Sequence, residues 1–267
     1  MYLADYHTHT HYSFDGMGDP EEMCRRAVEL GLQELAFTDH MDIFTVHSYD
    51  YILNCRELYP ELLACREKWA DKLRVVIGAE LGQPMANPAA ADAFLQDHPE
   101  LDFVIGSIHQ MENDLDVYYY NFRRRDPRDV YNHYLDWLLD LAENYDYDVI
   151  GHITYPLRYI EGDAGIPVDT AKYRDMIADI FKAVIARGKG IELNTSGYRQ
   201  TYGKPFPDGT LLKLYRDLGG KILTLGSDAH RPEDVAGGIA EGAALARSVG
   251  FDRICYYLRH DPCYITI

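Results

Sequence analysis

Two pairs of potential metal ligands, far apart in the chain, share a spacing of two positions. His7 and His9 form the first pair, and Asp228 and His230 form the second. In extended backbone, side chains two positions apart point to the same side, so each pair can bind one ion or two neighbouring ions. Neutral imidazole together with carboxylate suits Zn, Mn or Fe. The spacing therefore predicts a metal site.

Further residues of these types lie at or just after short apolar runs that we predict to be strands. Because the C-terminal ends of parallel strands converge on one face of a barrel, we expect these residues to meet there. A carboxylate such as Glu80 can bridge two ions, so we expect more than one divalent ion. The predicted ligands are His7, His9, Asp15, His40, Glu80, His109, His152, Asp228 and His230.

Each candidate ligand also has a purely structural interpretation. His152 alone could be a hydrogen-bonded residue at a strand end, and Asp15 could belong to a turn with Gly16. Six of the eleven histidines lie at predicted strand ends, however, and a structural arrangement gives no reason for that concentration. Asp5 and Asp39 are expected to orient ligand histidines from behind. No function is assigned to His98, His133 or His260, and His11 and His47 stay undecided.

Apolar runs alternate with helix-like segments along the whole chain, which predicts a parallel sheet. Residues 19–22 read Asp-Pro-Glu-Glu, an N-terminal capping pattern, and Gly31 ends that helix. Similar starts predict outer helices over residues 126–144 and 169–188. The predicted strands are residues 3–6, 35–38, 75–79, 103–106, 149–151, 190–193 and 222–226, with 254–258 as a candidate eighth.

Composition indicates one globular domain over residues 1–267 and argues against several partners. The chain carries 26 Lys and Arg against 43 Asp and Glu, a net charge of −17. We therefore expect no nucleic-acid or membrane partner, although bound cations would still attract a small anionic substrate. The five cysteines form no C-x-x-C pair, and no leader or spanning segment is visible, so we expect a cytoplasmic protein. The oligomeric state is left open.

The order of the motifs resembles the Polymerase and Histidinol Phosphatase (PHP) superfamily. The resemblance spans residues 5 to 230, and it rests on His7-Thr8-His9, Thr38-Asp39-His40, Glu80, His109, Gly151-His152 and Ser227-Asp228-Ala229-His230. It implies an α/β fold, a distorted (β/α)7 TIM-like barrel, with a trinuclear metal centre. Segments 37–40, 105–109 and 194–199 are similar to the stand-alone branch, which implies hydrolysis of L-histidinol phosphate in histidine biosynthesis.

This resemblance and the chemistry of phosphate suggest roles for several residues. Bound ions would lower the pKa of a water toward neutrality, and Asp228 or His230 would protonate the departing alkoxide. Arg158 and Arg199 follow the fifth and sixth strands, and a guanidinium matches phosphate oxygens, although each could be a solvated charge. Asp42 or Glu161 could pair with the cationic part of the substrate. Arg123 to Arg125 are expected to be solvated, with a lid role as the alternative.

Three other functions compete with this prediction. A phosphoesterase of the same superfamily could act on another small phosphorylated metabolite or a nucleotide. An amidohydrolase-type enzyme would often use a carboxylated lysine, and no lysine stands at a ligand-bearing strand end. A metal-binding regulatory protein without catalysis is the third, but no predicted ligand is missing from the set.

Overall fold

A barrel of parallel strands forms the centre of the structure, a computed structural model that describes residues 2–43, 51–111 and 115–267. Within these residues seven strands lie side by side in the order β1-β2-β4-β5-β6-β7-β8, and β3 extends the sheet by pairing with the end of β4. The strands are β1 (Ala4–Asp5), β2 (Glu34–Phe37), β3 (His40–Asp42), β4 (Arg74–Gly82), β5 (Phe103–Ser107), β6 (Val149–Ile150), β7 (Gly190–Asn194), β8 (Leu223–Gly226), β9 (Arg253–Leu258) and β10 (Asp261–Thr266).

Backbone hydrogen bonds between the segments that follow β1 and β8 close the barrel. The Tyr6 amide donates to the Leu225 carbonyl at 2.9 Å, and the Asp228 amide donates to the His7 carbonyl at 2.8 Å. The His9 amide donates to the Ala229 carbonyl, also at 2.8 Å. The first and last barrel strands are therefore neighbours, and the predicted (β/α)7 barrel is confirmed.

The helices lie outside the strands, as the alternating pattern predicts. The helix over Pro20–Glu29 begins where predicted, because the Asp19 side chain accepts from the Glu22 amide. The predicted segment 169–188 is divided into a 3-10 turn at Thr170–Tyr173 and a helix. The helices are α1 (Pro20–Glu29), α2 (Tyr51–Trp69), α3 (Pro88–Asp97), α4 (Pro127–Asn144), α5 (Arg174–Ala186), α6 (Gly209–Asp217) and α7 (Ile239–Ser248).

The prediction of an eighth strand at residues 254–258 is confirmed, but this strand lies outside the barrel. This segment is β9, which pairs with β10 as an antiparallel hairpin outside the barrel sheet. The chain reverses within two residues, Arg259 and His260, and so short a connection can only join antiparallel strands. The hairpin covers the N-terminal end of the barrel, where the Tyr257 amide donates to Tyr6 Oη at 2.8 Å and Arg74 donates to the Tyr257 carbonyl at 2.7 Å.

Both faces of the barrel strands are buried. Tyr6, Phe103 and Tyr257 pack together at the N-terminal end, with the Tyr6 and Phe103 rings edge to face at 5.1 Å. A larger cluster of apolar side chains lies between the strands and the outer helices. This packing fixes the positions of the strands and therefore of the polar residues at their C-terminal ends. Among the described residues, no helix has the length and apolar character needed to cross a membrane.

Candidate metal centre

The predicted ligands stand at the C-terminal ends of the strands. His7 and His9 follow β1, and Asp228 and His230 follow β8, so barrel closure brings the two pairs together. Glu80 lies within β4 and is the register partner of His40 in β3. His109 follows β5, and His152 follows β6. Because every strand runs in the same direction, all these side chains reach one face of the barrel.

Glu80 lies at the centre of this cluster and is fully buried. Its two carboxylate oxygens face different histidines. Oε2 lies 2.9 Å from His40 Nδ1, 3.3 Å from His7 Nε2 and 3.6 Å from His9 Nε2, and Oε1 lies 2.7 Å from His152 Nε2 and 3.2 Å from His109 Nε2. This geometry suits a carboxylate that bridges ions.

Asp228, His230 and Asp15 form the more open side of the cluster. Asp228 Oδ1 lies 3.4 Å from His9 Nε2 and 3.5 Å from His230 Nδ1. Asp15 Oδ2 lies 3.2 Å from His230 Nε2, and its Oδ1 lies 3.5 Å from His40 Nε2. Asp228 has a left-handed backbone with φ of 55°, and this backbone is strained in a residue other than glycine. All nine predicted ligands therefore meet in one place.

Unpaired buried atoms indicate that this cluster fits divalent ions. Among the described residues, His7 Nε2, His9 Nε2 and Glu80 Oε2 are buried without a hydrogen-bond partner. Such groups are unfavourable unless something binds them. Four sets of three donor atoms lie within 4.8 Å of one another, His9/His40/His230, His7/Glu80/His152, His7/His9/Asp228 and His40/Asp42/His109. Imidazole and carboxylate in such sets are the ligands of Zn, Mn and Fe.

The electrostatics favour the metal-binding protonation state at Glu80 and His9, but not at His40. Burial raises the pKa of Glu80, but the imidazoles of His109, His7 and His40 outweigh it and hold the pKa well below its usual range. Burial lowers the pKa of His9 far below its usual range, and the neighbouring His230 adds to this effect. Burial lowers the pKa of His40 as well, but Glu80 and Asp15 raise it to about 9. Protons therefore compete with cations at His40.

Several carboxylates position the cluster histidines through contacts with the ring nitrogen or backbone amide that does not face Glu80. Glu192 Oε1 lies 2.7 Å from His7 Nδ1, and Glu192 Oε2 accepts from the His152 amide at 3.0 Å. Gly226 permits this contact, because a Cβ there would lie 2.0 Å from Glu192 Oε1. Asp39 accepts from Ser13 Oγ at 2.7 Å, and Ser13 Oγ lies 3.3 Å from His9 Nδ1. The role of Glu192 was missed, although it also stands at a strand end.

Asp5 holds the loop after β8 instead of a histidine ring. It accepts from the Ser227 amide at 2.8 Å and from the Ala236 amide at 2.9 Å. Asp5 therefore positions Asp228 through the backbone.

Asp42 does not face the substrate cavity, contrary to its predicted role. It is buried in β3, and its Oδ1 lies 3.0 Å from His109 Nδ1 and accepts from Gln83 Nε2 at 3.1 Å. The physical reason is that its carboxylate oxygen is held by these two partners, behind the His109 ring. Asp42 therefore supports His109. Glu161 also lies elsewhere, where it accepts from the Val168 amide at 2.9 Å.

A cavity of about 620 Å³ opens onto the cluster. Arg158 is one of its lining side chains, with its guanidinium 5.1 Å from the Tyr159 ring, and Arg231 is a second cation that the sequence did not suggest. The other lining residues outside the cluster are Phe14, Gln110, Asp116, Tyr118, Tyr119, Tyr155 and Tyr159. The sequence did contain a sign of this wall, because Asp116 lies close to Tyr118 and Tyr119 on the loop after β5.

Arg199 lies outside this cavity. Its Nη2 donates to the Ser227 carbonyl at 2.7 Å, and its Nη1 donates to the Gly237 carbonyl at 2.9 Å. Its Nε lies 3.5 Å from Asp234. The structure thus gives Arg199 contacts with the loop that carries Asp228 and does not place it among the residues expected to face phosphate. His47 lies outside the described residues.

A parallel barrel whose strand ends gather imidazoles and carboxylates around one buried glutamate is the arrangement of a metal-dependent hydrolase. Residues 5–196 match the model of the PHP domain family. The chain belongs to this family.

Relatives of known function resemble the chain over nearly its whole length. A histidinol-phosphatase of Lactococcus lactis is 28% identical over 260 residues, 96% of this chain and 95% of the relative. A probable histidinol-phosphatase of Thermotoga maritima is 27% identical over 254 residues, 94% of both. The solved structure of the Lactococcus lactis histidinol phosphate phosphatase, complexed with zinc, L-histidinol and phosphate, has a TM-score of 0.86 at 27% identity and covers 97% of this chain and 98% of that chain.

Proposed function

We propose that the chain is a metal-dependent phosphomonoesterase that hydrolyses L-histidinol phosphate to L-histidinol and phosphate. The observation that carries the proposal is the cluster around Glu80 at the base of a cavity that also holds Arg158. The similarity to histidinol-phosphatases over 96% of the chain narrows the substrate. An acidic chain can bind a phosphomonoester at such a site because bound cations reverse the local potential.

The residues proposed to hold two to three divalent ions are those that meet in the cluster. Zinc, manganese and iron all suit this donor set. When bound, such ions activate water and neutralise the phosphoryl oxygens. The proposed ligands are His7, His9, Asp15, His40, Glu80, His109, His152, Asp228 and His230.

The remaining steps fall to side chains at the cavity. Arg158 is placed to bind phosphoryl oxygens through its guanidinium. Asp228 and His230 are the proposed proton donors to the leaving oxygen.

A substrate panel tests the proposal. Protein loaded with zinc or manganese is assayed with L-histidinol phosphate, p-nitrophenyl phosphate, glucose 6-phosphate and nucleoside monophosphates. We expect kcat/KM for L-histidinol phosphate to exceed the others by about 100-fold or more, since the cavity walls contact the leaving group. Equal values across the panel would reject the substrate, and a higher value for a nucleotide or sugar phosphate would identify the alternative.

The role of the cluster is tested separately with Glu80→Gln. This variant keeps the size of the side chain and removes its charge. We expect it to lose bound metal, measured by elemental analysis, together with phosphatase activity. Retention of full metal content would contradict the bridging role.

A further inference from the structure

One carboxylate on the cavity wall stands apart from the metal cluster. Of the four carboxylates that line the cavity in the described part of the chain, Asp15, Glu80 and Asp228 contact cluster histidines. The fourth is Asp116, which directly precedes the 3-10 turn Val117–Tyr119. Its position on a loop after β5 places it opposite the ligands that follow β1 and β8. It needs a different explanation from the other three.

Two donors hold Asp116 in place. Its Oδ1 accepts from the Tyr118 amide at 2.7 Å and from Tyr155 Oη at 3.1 Å. Tyr155 Oη also lies 2.9 Å from Tyr159 Oη, so the tyrosines form a hydrogen-bonded chain that ends on the carboxylate. Among the described residues, no hydrogen bond or ion pair uses Oδ2. One carboxylate oxygen is therefore positioned and the other is available.

Aromatic rings surround this carboxylate. The Tyr118 and Tyr159 rings meet edge to face at 5.8 Å, and the Tyr155 and Tyr159 rings do so at 5.3 Å. Tyr118 is 60% exposed, so this part of the wall is reached from solvent. A carboxylate beside tyrosine rings suits an organic cation, because the negative charge attracts it and a ring face that it reaches adds a cation–π contribution.

Tyr155 also connects Asp116 to the cluster. Its ring lies 5.0 Å from the His152 ring and 5.5 Å from the His109 ring, while its hydroxyl reaches Asp116. One side chain, that of Tyr155, therefore contacts both the carboxylate and the imidazoles of the cluster. A substrate with phosphate at the cluster would place at Asp116 a group only a few bonds from its ester oxygen.

We infer that Asp116, held by Tyr155 and framed by Tyr118 and Tyr159, selects phosphomonoesters whose leaving alcohol carries a positive charge close to the ester oxygen. The inference rests on the proposed phosphatase function and adds the residue that reads the leaving group. Burial raises the pKa of the Asp116 carboxyl, and a cation bound beside it would oppose this effect. Asp116 takes over the role that the sequence suggested for Asp42 or Glu161.

The test measures a preference and not an absolute rate. Phosphoethanolamine and L-histidinol phosphate serve as cationic substrates, and glycerol phosphate and p-nitrophenyl phosphate serve as uncharged-alcohol substrates. The ratio of kcat/KM between the two kinds is compared in the wild type, Asp116→Asn and Glu161→Gln, all loaded with the same metal. Asp116→Asn keeps an acceptor for Tyr118 and Tyr155 and removes only the charge, and Glu161→Gln removes a carboxylate outside the cavity.

We expect Asp116→Asn to lower the ratio by about tenfold or more, chiefly through KM, because a charged hydrogen bond is lost. Glu161→Gln should leave the ratio at the wild-type value. The Ki of L-histidinol should rise in Asp116→Asn by a similar factor. An unchanged ratio and an unchanged Ki would overturn the inference.

Two further results keep the test decisive. Tyr155→Phe removes one positioning donor and should lower the ratio severalfold; if Asp116→Asn does not fold, a wild-type ratio in Tyr155→Phe overturns the inference. Failure of the proposed function shows up separately, as a low wild-type kcat/KM for L-histidinol phosphate within the panel. A wild type that prefers phosphoethanolamine would reject the proposed substrate while supporting the role of Asp116.

Discussion

Asp42 and Asp116 each follow a predicted ligand histidine along the chain, yet their carboxylates lie in different surroundings. Asp42 is packed behind His109, whereas Asp116 lines the cavity. A carboxylate behind an imidazole fixes the ring orientation and raises its basicity as a ligand. A carboxylate on the wall instead presents charge to whatever enters. The same residue type therefore affects metal affinity in one place and substrate choice in the other.

Asp42→Ala should weaken metal binding without changing the preference among substrates. Loss of a partner behind a ligand histidine typically lowers metal affinity by about 10- to 100-fold. Competition with a chromogenic chelator measures the affinity, and the ratio of kcat/KM for cationic and uncharged substrates measures the preference. A variant with normal metal affinity and a lost preference would restore the role that the sequence suggested for Asp42.

Substitutions of Arg158 and Arg199 should likewise have different effects, one on substrate binding and the other on stability. Arg158→Ala is expected to raise KM by about tenfold for every phosphomonoester, because the phosphate is common to all of them. Arg199→Ala should instead lower the Tm, since it removes two donors from the loop that carries Asp228. If Arg199→Ala raised KM more than Arg158→Ala at an unchanged Tm, Arg199 would belong to the phosphate site after all.

The clustering of the proposed ligands could be predicted from the sequence because their positions follow from one rule about parallel strands. His7, Glu80 and Asp228 together span more than two hundred positions, but each stands at or near the C-terminal end of a strand. Asp116 follows no such rule. Its place depends on Tyr155, 39 positions further along, and on the course of the loop after β5. Contacts between loops leave no period or spacing in the sequence.

At the scale of elements, the hairpin β9–β10 shows that a sequence pattern can predict a strand without predicting its pairing partner. A run such as Ile254–Leu258 correctly predicts a strand, because its apolar residues suit a buried, pleated element. Its partner is set by the two-residue turn that follows, and Arg259 and His260 have φ values of 49° and 68° in this turn. These are not the residues that favour such a turn, so the sequence carried no sign of it.

The hairpin should make stability depend on pH through His260. The hydrogen bond that Asp148 Oδ2 accepts from His260 Nδ1 raises the pKa of His260 above its usual value of 6.5, against the effect of burial. Because the folded pKa is the higher one, the contribution is complete below about pH 6.5 and is lost as pH rises through the folded value. His260→Gln should therefore lower the Tm more at about pH 5.5 than at about pH 9. Equal losses at both pH values would remove His260 from this role.

On the scale of the whole molecule, the barrel could be predicted because length, alternation and strand-end chemistry all indicate the same fold. The closure of the sheet could not be read in detail. β1 and β6 have two residues each, too few for periodicity to define their ends. What closes the barrel is a set of backbone bonds between His7, His9 and the segment after β8, and backbone groups are the same in every residue.

Removing the metal should destabilise the whole fold. The proposed ions join ligands after β1 to ligands after β8, and they bind the folded chain only. At an ion concentration about 100-fold above Kd, binding adds about 2.7 kcal/mol. For a chain of this size that corresponds to a Tm about 5–10 °C lower in a strong chelator, with recovery on adding zinc. An unchanged Tm in the chelator would contradict the proposal that ions are bound jointly by residues after β1 and after β8.

The segments that seal the barrel are the same segments that present the ligands. The amides of His9 and Asp228 form the seam, while the side chains of these residues reach into the cluster. Opening of the seam is therefore expected to be coupled to the release of a bound ion. Amide hydrogen exchange at His9 and Asp228 consequently follows ion release in the resting protein, with no substrate present.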